Sequence, residues 1–383
     1  MIFGLTAASA AGSAQSADLE IDFQNEADTL AIPSDDLLAE LLQFQEVEPV
    51  LRTAIILSDI YSKKDMEFTR GFLLGIKEAQ LPDNSLSLKV INGEVSQDSL
   101  HYELDQIDPH VIFTTSEKGI GEGLLTYALE HNCLLINCFD VKAEEYMGNP
   151  FVYQVLSPSS IFNGKVSRTL VDLVGDANLI IIGEPEPTDQ ILRDMLARLS
   201  SEKVITVPAT MVKDLAILPG ETYFIYVASP KGPDVKKAIA ETTTLQLQNP
   251  SSQIKLLGRP NWVAFNDFNT LTGTFEAYVP TRAYFDPSSP KEKQFIRSYH
   301  ELYGRSPIRS YPVYAAMGYD VAQYFVPLFV IEQRSDNEML PRGNMLQVYF
   351  NLVPSDSAHG LSNNGSYLLH LQPWGAIEKI TVD

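Results

Sequence analysis

The sequence predicts an α/β protein of two lobes, each built on a doubly wound parallel sheet. Short, continuously apolar runs alternate with amphipathic stretches, the pattern of parallel strands that helices bury on both faces. The alternation restarts once along the chain. In addition, 383 residues are too many for a single core of ordinary size.

The first series of alternating elements begins after Arg52. In the stretch that follows the first apolar run, Phe68, Phe72, Ile76 and Ala79 recur at helical spacing, which predicts an amphipathic helix. Another helix is predicted around Leu124–Leu129. The predicted strands between the helices are TAIILS (53–58), LSLKVIN (86–92), VIFTT (111–115) and LLIN (134–137).

A second series of similar length starts near residue 160. It opens with a predicted helix, SIFNGKVSRTLVDLV, and its apolar runs are again short enough to be buried strands. The stretch NPFVYQVLSPSS (149–160) lies between the two series and is the first predicted crossing between lobes. The predicted strands of the second series are 178–183, 203–208, 222–229 and 254–258.

The last third of the chain has a different character. The stretch 273–286 is extended and aromatic, which suits a second crossing. Helices are predicted at 289–304, ending at Gly304, and at 311–334, with a bend before Pro327. The segment 366–382 has the pattern of a β-hairpin.

The charge of the chain excludes some classes of partner. The formal net charge is −21, and residues 1–51 contain ten acids but no lysine or arginine. Such a field repels phosphate backbones and anionic lipids, so binding of nucleic acid or of a membrane surface is not expected. No membrane span is expected either, because no apolar run reaches the ~18 residues that a bilayer requires.

The first residues suggest export. MIFGLTAASAAGSAQSA is apolar and then rich in small residues, and Ala8–Ala10 resembles a signal-peptidase site. The basic start of a signal peptide is missing, so a disordered Ala/Ser tail is the alternative. We expect a periplasmic or cell-envelope location.

The usual signatures of catalysis are absent. The sequence has no G-x-S-x-G, G-x-x-x-x-G-K-[ST], H-E-x-x-H or C-x-x-C pattern, and its six histidines show no metal-ligand spacing. No catalytic residue, metal or cofactor is therefore expected. Cys133 and Cys138 should not pair with each other, because a spacing of five positions along a strand places them roughly 17 Å apart.

One glycine-rich stretch resembles a dinucleotide-binding fingerprint. It lies between a predicted strand and a predicted helix, with glycines at 119, 121 and 123. The fingerprint is G-x-G-x-x-G, and here Leu124 takes the place of the third glycine. Glu117 and Glu122 would also repel a pyrophosphate. We therefore interpret the stretch as part of a cleft, with Thr115 and Ser116 as its binding residues.

Several stretches occur in a specific order, although each is a weak signal singly. They are TAIILSDIYSKKDMEFTRGFLLGIKEA, DPHVIFTTSEKG with ALEHNCLLINCFD, NPFVYQVLSPSS, and KQFIRSYHELYGRSP with YAAMGYDVAQYF. Over roughly residues 52–335 their order resembles that of the type I periplasmic binding proteins, the branched-chain amino-acid receptor group. More narrowly, LLGRPNWVAF with FEAYVPTRAYFDPSSPKEKQFIRSYHELYG resembles Bacteroidetes cell-envelope variants, which often follow LysM, peptidoglycan-binding modules.

The resemblance implies a two-lobed flytrap joined by three crossings. It divides the chain into a signal-like start and acidic lead-in (1–51), lobe 1 (52–153 plus 284–330) and lobe 2 (154–283 plus 331–383). The function it implies is non-catalytic binding of a small polar, amino-acid-like ligand between the lobes. The alternative is a flytrap scaffold without a small ligand that has an envelope-protein or peptidoglycan partner.

Candidate ligand residues are those that follow predicted strands, because open α/β sheets bind ligands at the carboxyl ends of their strands. Ser116 could instead cap the following helix. By the resemblance, Cys138 and Phe139 replace small polar residues, and Asn261 replaces an acid that holds an ammonium group. The candidates are Ser58, Asp59, Tyr61, Thr115, Ser116, Cys138 and Phe139 in lobe 1, and Glu184, Ser229, Asn261 and Trp262 in lobe 2.

Overall fold

The computed structural model describes residues 51–142, 149–330, 340–354, 360–373 and 375–382. The predicted signal-like start and acidic lead-in lie outside the described residues, apart from Leu51. Within the described ranges, no helix is long and apolar enough to cross a membrane.

The first sheet is built from the first series of elements. Its strands are parallel from β2 to β5, and the chain winds outwards from β1 in both directions, as the sequence predicts. The elements are β1 Leu51–Leu57, α1 Lys63–Glu78, β2 Leu86–Asn92, α2 Gln97–Asp105, β3 Val111–Thr114, α3 Glu122–Glu130, β4 Leu134–Asn137 and β5 Val152–Gln154.

The second series forms the second sheet. Strands β6 to β10 are parallel, and the runs NLIII and TYFIYV lie buried between helices on both faces. The elements are α4 Ser159–Val174, β6 Asn178–Ile182, α5 Gln190–Leu196, β7 Val204–Val207, β8 Thr222–Val227, α6 Gly232–Gln248, β9 Gln253–Leu257, α7 Phe268–Leu271 and β10 Glu276–Thr281.

The remaining elements complete both sheets. The predicted hairpin is present as β15 and β16, which pair antiparallel at the edge of the second sheet. The described part of the last long helix continues through Pro327. The elements are α8 Pro290–Tyr303, α9 Tyr314–Val330, β11 Gly343–Asn344, β12 Tyr349–Phe350, β13 Leu352–Pro354, β14 Leu361–Asn363, β15 Ser366–Leu371 and β16 Ile377–Val382.

Each sheet has seven strands and is mainly parallel, which confirms the predicted fold class. The order is β13-β14-β5-β4-β3-β1-β2 in the first sheet and β16-β15-β10-β9-β8-β6-β7 in the second. The chain passes between the sheets after β5, after β10 and after β14, so there are three crossings.

The third crossing lies at a different position along the chain from the one that the predicted lobe boundaries imply. The sequence analysis assigns 331–383 to the second lobe, but β13 and β14 extend the first sheet. β14 lies parallel to β5, and Leu352 and Leu361 are buried in the first lobe's core. The passage to the second sheet is therefore the short turn at Asn364 and Gly365.

Helix α9 returns to the first lobe and packs closely on α1. The contact depends on two glycines, because a Cβ at Gly71 would lie 1.7 Å from the Ala315 oxygen and one at Gly318 would lie 2.0 Å from the Phe68 oxygen. This packing fixes Tyr314, at the start of α9, beside the loop after β3. Cys133 and Cys138 are both buried and form no disulfide with each other, as expected.

Candidate functional site

A cleft of about 730 Å³ opens at the carboxyl ends of β1, β2 and β3. Loops from the ends of these strands and the starts of the following helices form its walls. The lining residues within the described ranges all belong to the first lobe, and they include the predicted Ser58, Asp59, Thr115 and Ser116. The cleft therefore lies where the topology of an open α/β sheet places a ligand site.

The turn after β1 is held by a buried carboxylate. Asp65, in the first turn of α1, is 3% exposed and accepts hydrogen bonds from the Ser58 hydroxyl (2.9 Å) and the Asp59 amide (2.8 Å). Asp59 in turn accepts a bond from the Tyr61 amide at 2.8 Å. The turn thus fixes the Asp59 backbone at the edge of the cleft. The Tyr61 side chain is 83% exposed.

Thr115 and Ser116 hold the loop after β3. Thr115 is buried, and its hydroxyl oxygen accepts the Ser58 amide at 3.0 Å, which joins the ends of two neighbouring strands. The Ser116 hydroxyl donates to the Gly119 carbonyl at 2.6 Å. Ser116 does not cap α3, because the N-cap of that helix is Gly121. Both hydroxyls therefore already have protein partners.

A three-residue polar cluster lies at one side of the cleft. Glu117 accepts bonds from the Lys64 ammonium (3.1 Å) and the Tyr314 hydroxyl (2.6 Å). Burial acts to raise the pKa of Glu117, but the bonds from Tyr314 and Lys64 outweigh it and lower the pKa. The interaction with Tyr314 raises the pKa of Lys64 the most, and the interaction with Glu117 raises it further. The cluster is an ion pair at neutral pH and places one carboxylate and one ammonium at the cleft.

The glycine-rich loop lacks the close helix–strand packing that the third glycine of a dinucleotide-binding fingerprint allows. Gly119 has a φ of 114°, which favours glycine, whereas Gly121 has an ordinary φ of −63°. A Cβ added at Gly121 would meet no atom of the described residues within 4 Å, so the space beside it is open to them. The loop therefore shapes the cleft wall.

Two predicted residues of the first lobe face the core. Cys138 is fully buried, and burial raises the pKa of its thiol. Phe139 is 6% exposed and lies against the rings of Phe68 and Tyr314, at 5.5 and 5.2 Å between centroids. The Asn137 side chain turns the chain here by bonding both backbone groups of Asp140. As a result, neither Cys138 nor Phe139 is presented to the cleft.

The predicted residues of the second lobe do not line the cleft. Glu184 is exposed, and the Ser229 hydroxyl donates to Asp234 at 2.7 Å. The Asn261 amide donates to the Pro230 carbonyl at 2.6 Å. Trp262 is fully buried beside Gly258 in the second lobe's core.

An arginine network ties the strand ends of the second lobe together. Arg259, after β9, pairs with Glu186 at 3.1 Å and approaches Asp189 at 3.5 Å. Asp189 also accepts the Tyr226 hydroxyl at 2.7 Å. Because two carboxylates surround the guanidinium, this loop has little remaining positive charge to offer a ligand.

Sequence reasoning identified four of the cleft-lining residues and missed the residues that organise them. Asp65, Lys64 and Glu117 lie on helix starts and loops, where an isolated charge is normally solvated. The one available signal is Asp65, which stands three residues after the Ser62 N-cap. Among the described residues, no group of three or more His, Cys, Asp or Glu side chains could hold a metal.

No family model and no curated protein matches the chain. Solved structures do match. A putative branched-chain amino acid ABC transporter protein from Rhodospirillum rubrum has a TM-score of 0.57 at 13% identity, covering 86% of this chain and 99% of that chain. A branched-chain amino acid ABC transporter periplasmic ligand-binding protein from Burkholderia xenovorans has a TM-score of 0.54 at 13% identity, covering 86% and 95%.

An ABC transporter substrate-binding protein from Sphaerobacter thermophilus has a TM-score of 0.53 at 11% identity, covering 88% of this chain and 97% of that chain. The chain has the two-lobed α/β fold of type I periplasmic binding proteins. At identities this low, the likeness shows the fold and leaves the ligand open.

Proposed function

We propose that the protein is a non-catalytic solute-binding protein of the cell envelope that takes a small polar, amino-acid-like ligand into the cleft. The observation that carries the proposal is the position of the cleft at the carboxyl ends of β1 and β3. Its volume of about 730 Å³ falls within the ~300–1,000 Å³ of small-molecule sites. Solved proteins of this fold are described as amino acid transporter components.

The polar groups of the cleft suit a zwitterion. Asp59 presents a carboxylate that an ammonium group can approach, while the Lys64 ammonium can exchange its partner Glu117 for the carboxylate of a ligand. The second lobe would cover the ligand on closure, with Glu184 as its exposed acid. Closure of two lobes around a ligand is a common rearrangement of proteins built this way.

A second function is supported by how many cleft groups are already satisfied. The Ser58, Thr115 and Ser116 hydroxyls have protein partners, and Glu117 pairs with Lys64. A scaffold that has no small ligand and contacts an envelope protein or peptidoglycan would need no free polar groups in the cleft. This alternative also accounts for the burial of Cys138.

A thermal-unfolding screen with amino acids, peptides and muropeptides separates the two functions. A ligand at 100 times its Kd adds about 2.7 kcal/mol to the free energy of unfolding, which such a screen detects. A hit should lose affinity in Asp59→Asn and keep it in Asp172→Asn, a change of an exposed acid on α4. If nothing in the panel stabilises the protein, the scaffold function is favoured.

A further inference from the structure

An arginine lies where two crossings between the lobes meet. Arg282 begins the second crossing, and its Nε atom donates to the Ser157 carbonyl of the first crossing at 2.7 Å. Its Nη2 atom donates to the Ser159 hydroxyl at 3.2 Å. The guanidinium also stacks on the Phe162 ring, 4.1 Å from its centroid. The side chain is therefore fixed in one orientation between the two chain segments.

This guanidinium has no acidic partner among the described residues. Its hydrogen-bond acceptors are one carbonyl and one hydroxyl, and its Nη1 atom has no acceptor there. Arg282 is half-buried, and burial lowers the pKa of its guanidinium to about 10. A charge that is partly shielded from water normally has a charged partner. The charge is compensated if an anion binds here.

Two further groups beside Arg282 suit an anion. Ser157 is 1% exposed, and its hydroxyl has no hydrogen-bond partner among the residues that the structure describes, although the carbonyl of the same residue accepts the Arg282 bond. Helix α4 has 16 residues and begins at Ser159, and its N-cap, Pro158, supplies no side-chain cap. The Ser159 amide already donates to the Val141 carbonyl at 2.9 Å, so it is not among the first-turn amides left for a ligand. The first-turn amides of a helix carry a partial positive charge that favours anions.

We propose that Arg282, the Ser157 hydroxyl and the first turn of α4 bind a carboxylate at the crossings between the two lobes. None of these residues lines the cleft at the ends of β1 and β3, so the site is separate from that of the proposed function. A monoanion matches the single charge of Arg282. A planar carboxylate also matches the fork of a guanidinium better than a spherical halide does.

The test uses the full chain with sodium acetate as the probe and sodium chloride at equal ionic strength as the reference. Acetate should raise the unfolding temperature of the wild type in a saturable manner. Line broadening of ¹³C-labelled acetate in NMR gives a direct second measure of binding. Arg282→Gln should weaken acetate binding by at least about tenfold, as removal of a charge-assisted bidentate contact does.

Three further variants keep the test independent of folding. Arg282→Lys retains the charge and loses the fork, so it should also bind acetate more weakly. Ser157→Ala should weaken binding by a smaller factor. Arg168→Gln changes an exposed arginine of α4 and should leave binding unchanged. Equal acetate and chloride responses in the wild type, or equal acetate affinity in wild type and Arg282→Gln, would overturn the proposal. Either result leaves the cleft screen unaffected.

Discussion

Asp320 of α9 fixes the segment that leads from α9 to the third crossing, and its removal should be costly. The side chain is fully buried and accepts the backbone amides of Leu346 (2.8 Å), Gln347 (2.8 Å) and Val348 (3.0 Å). Asp320→Ala leaves three buried donors without an acceptor, each costing about 1–3 kcal/mol. The sum is about 6 kcal/mol when each donor costs about 2.

The raised pKa of the buried carboxyl offsets part of this cost. Burial raises the pKa of Asp320 to about 7, against the three amides, which lower it. At pH 5 the unfolded chain has released a proton that the folded state keeps, which already reduces wild-type stability by about 1.5 kcal/mol. The net loss in Asp320→Ala at pH 5 is therefore about 4.5 kcal/mol.

Urea unfolding followed by circular dichroism measures this loss. The side-chain oxygen of Asp320→Asn can still accept two of the amides, so the free energy of unfolding of this variant should lie between those of the wild type and Asp320→Ala. Asp172→Ala, on the exposed face of α4, should change stability by less than about 0.5 kcal/mol. A loss below about 1 kcal/mol in Asp320→Ala would refute the reasoning.

Two further predictions concern the first lobe. As the pH rises from 4 to 7, the wild type should lose up to about 1.4 kcal/mol of stability per pH unit relative to Asp320→Ala, because the unfolded chain releases a proton that the folded carboxyl keeps. A difference in urea midpoints that stays the same across this range would contradict the prediction. Gly71→Ala should destabilise the α1–α9 contact by about 3 kcal/mol or more, because its Cβ would lie 1.7 Å from the Ala315 oxygen. Gly164→Ala in α4, where an added Cβ meets nothing within 4 Å, should be neutral or stabilising, and equal thermal unfolding of the two alanine variants would contradict the packing account.

Much of the fold could be predicted because its strands are apolar runs with clear ends. β2 and β4 have the predicted bounds, 86–92 and 134–137. Strands β13 and β14 could not be predicted in the same way. They have three residues each, and long-range bonds hold them, such as those from the Asn363 side chain to the Val155 and Tyr349 carbonyls. Such pairings leave no periodic pattern in the sequence.

The position of the candidate cleft could be predicted from the sequence, but the side chains that face it could be predicted only in part. The rule that ligands bind at strand ends selects Ser58, Asp59 and Ser116, which line the cleft, and their binding of a ligand stays a prediction. It does not give the direction of a side chain once the chain leaves the strand. Cys138 therefore faces the core, and Trp262 fills the space that Gly258 leaves.

The most direct test of ligand binding in the cleft is to obstruct it. Gly121 lines the cleft and has an ordinary φ, and a Cβ added there meets no described residue within 4 Å. Gly121→Phe therefore adds a large side chain without backbone strain. Gly164→Phe adds the same group on α4 as the matched control. For any ligand found in the screen, calorimetric titration should show at least a tenfold weaker Kd, about 1.4 kcal/mol, in Gly121→Phe alone. Equal affinity in Gly121→Phe and the wild type would contradict binding in this cleft.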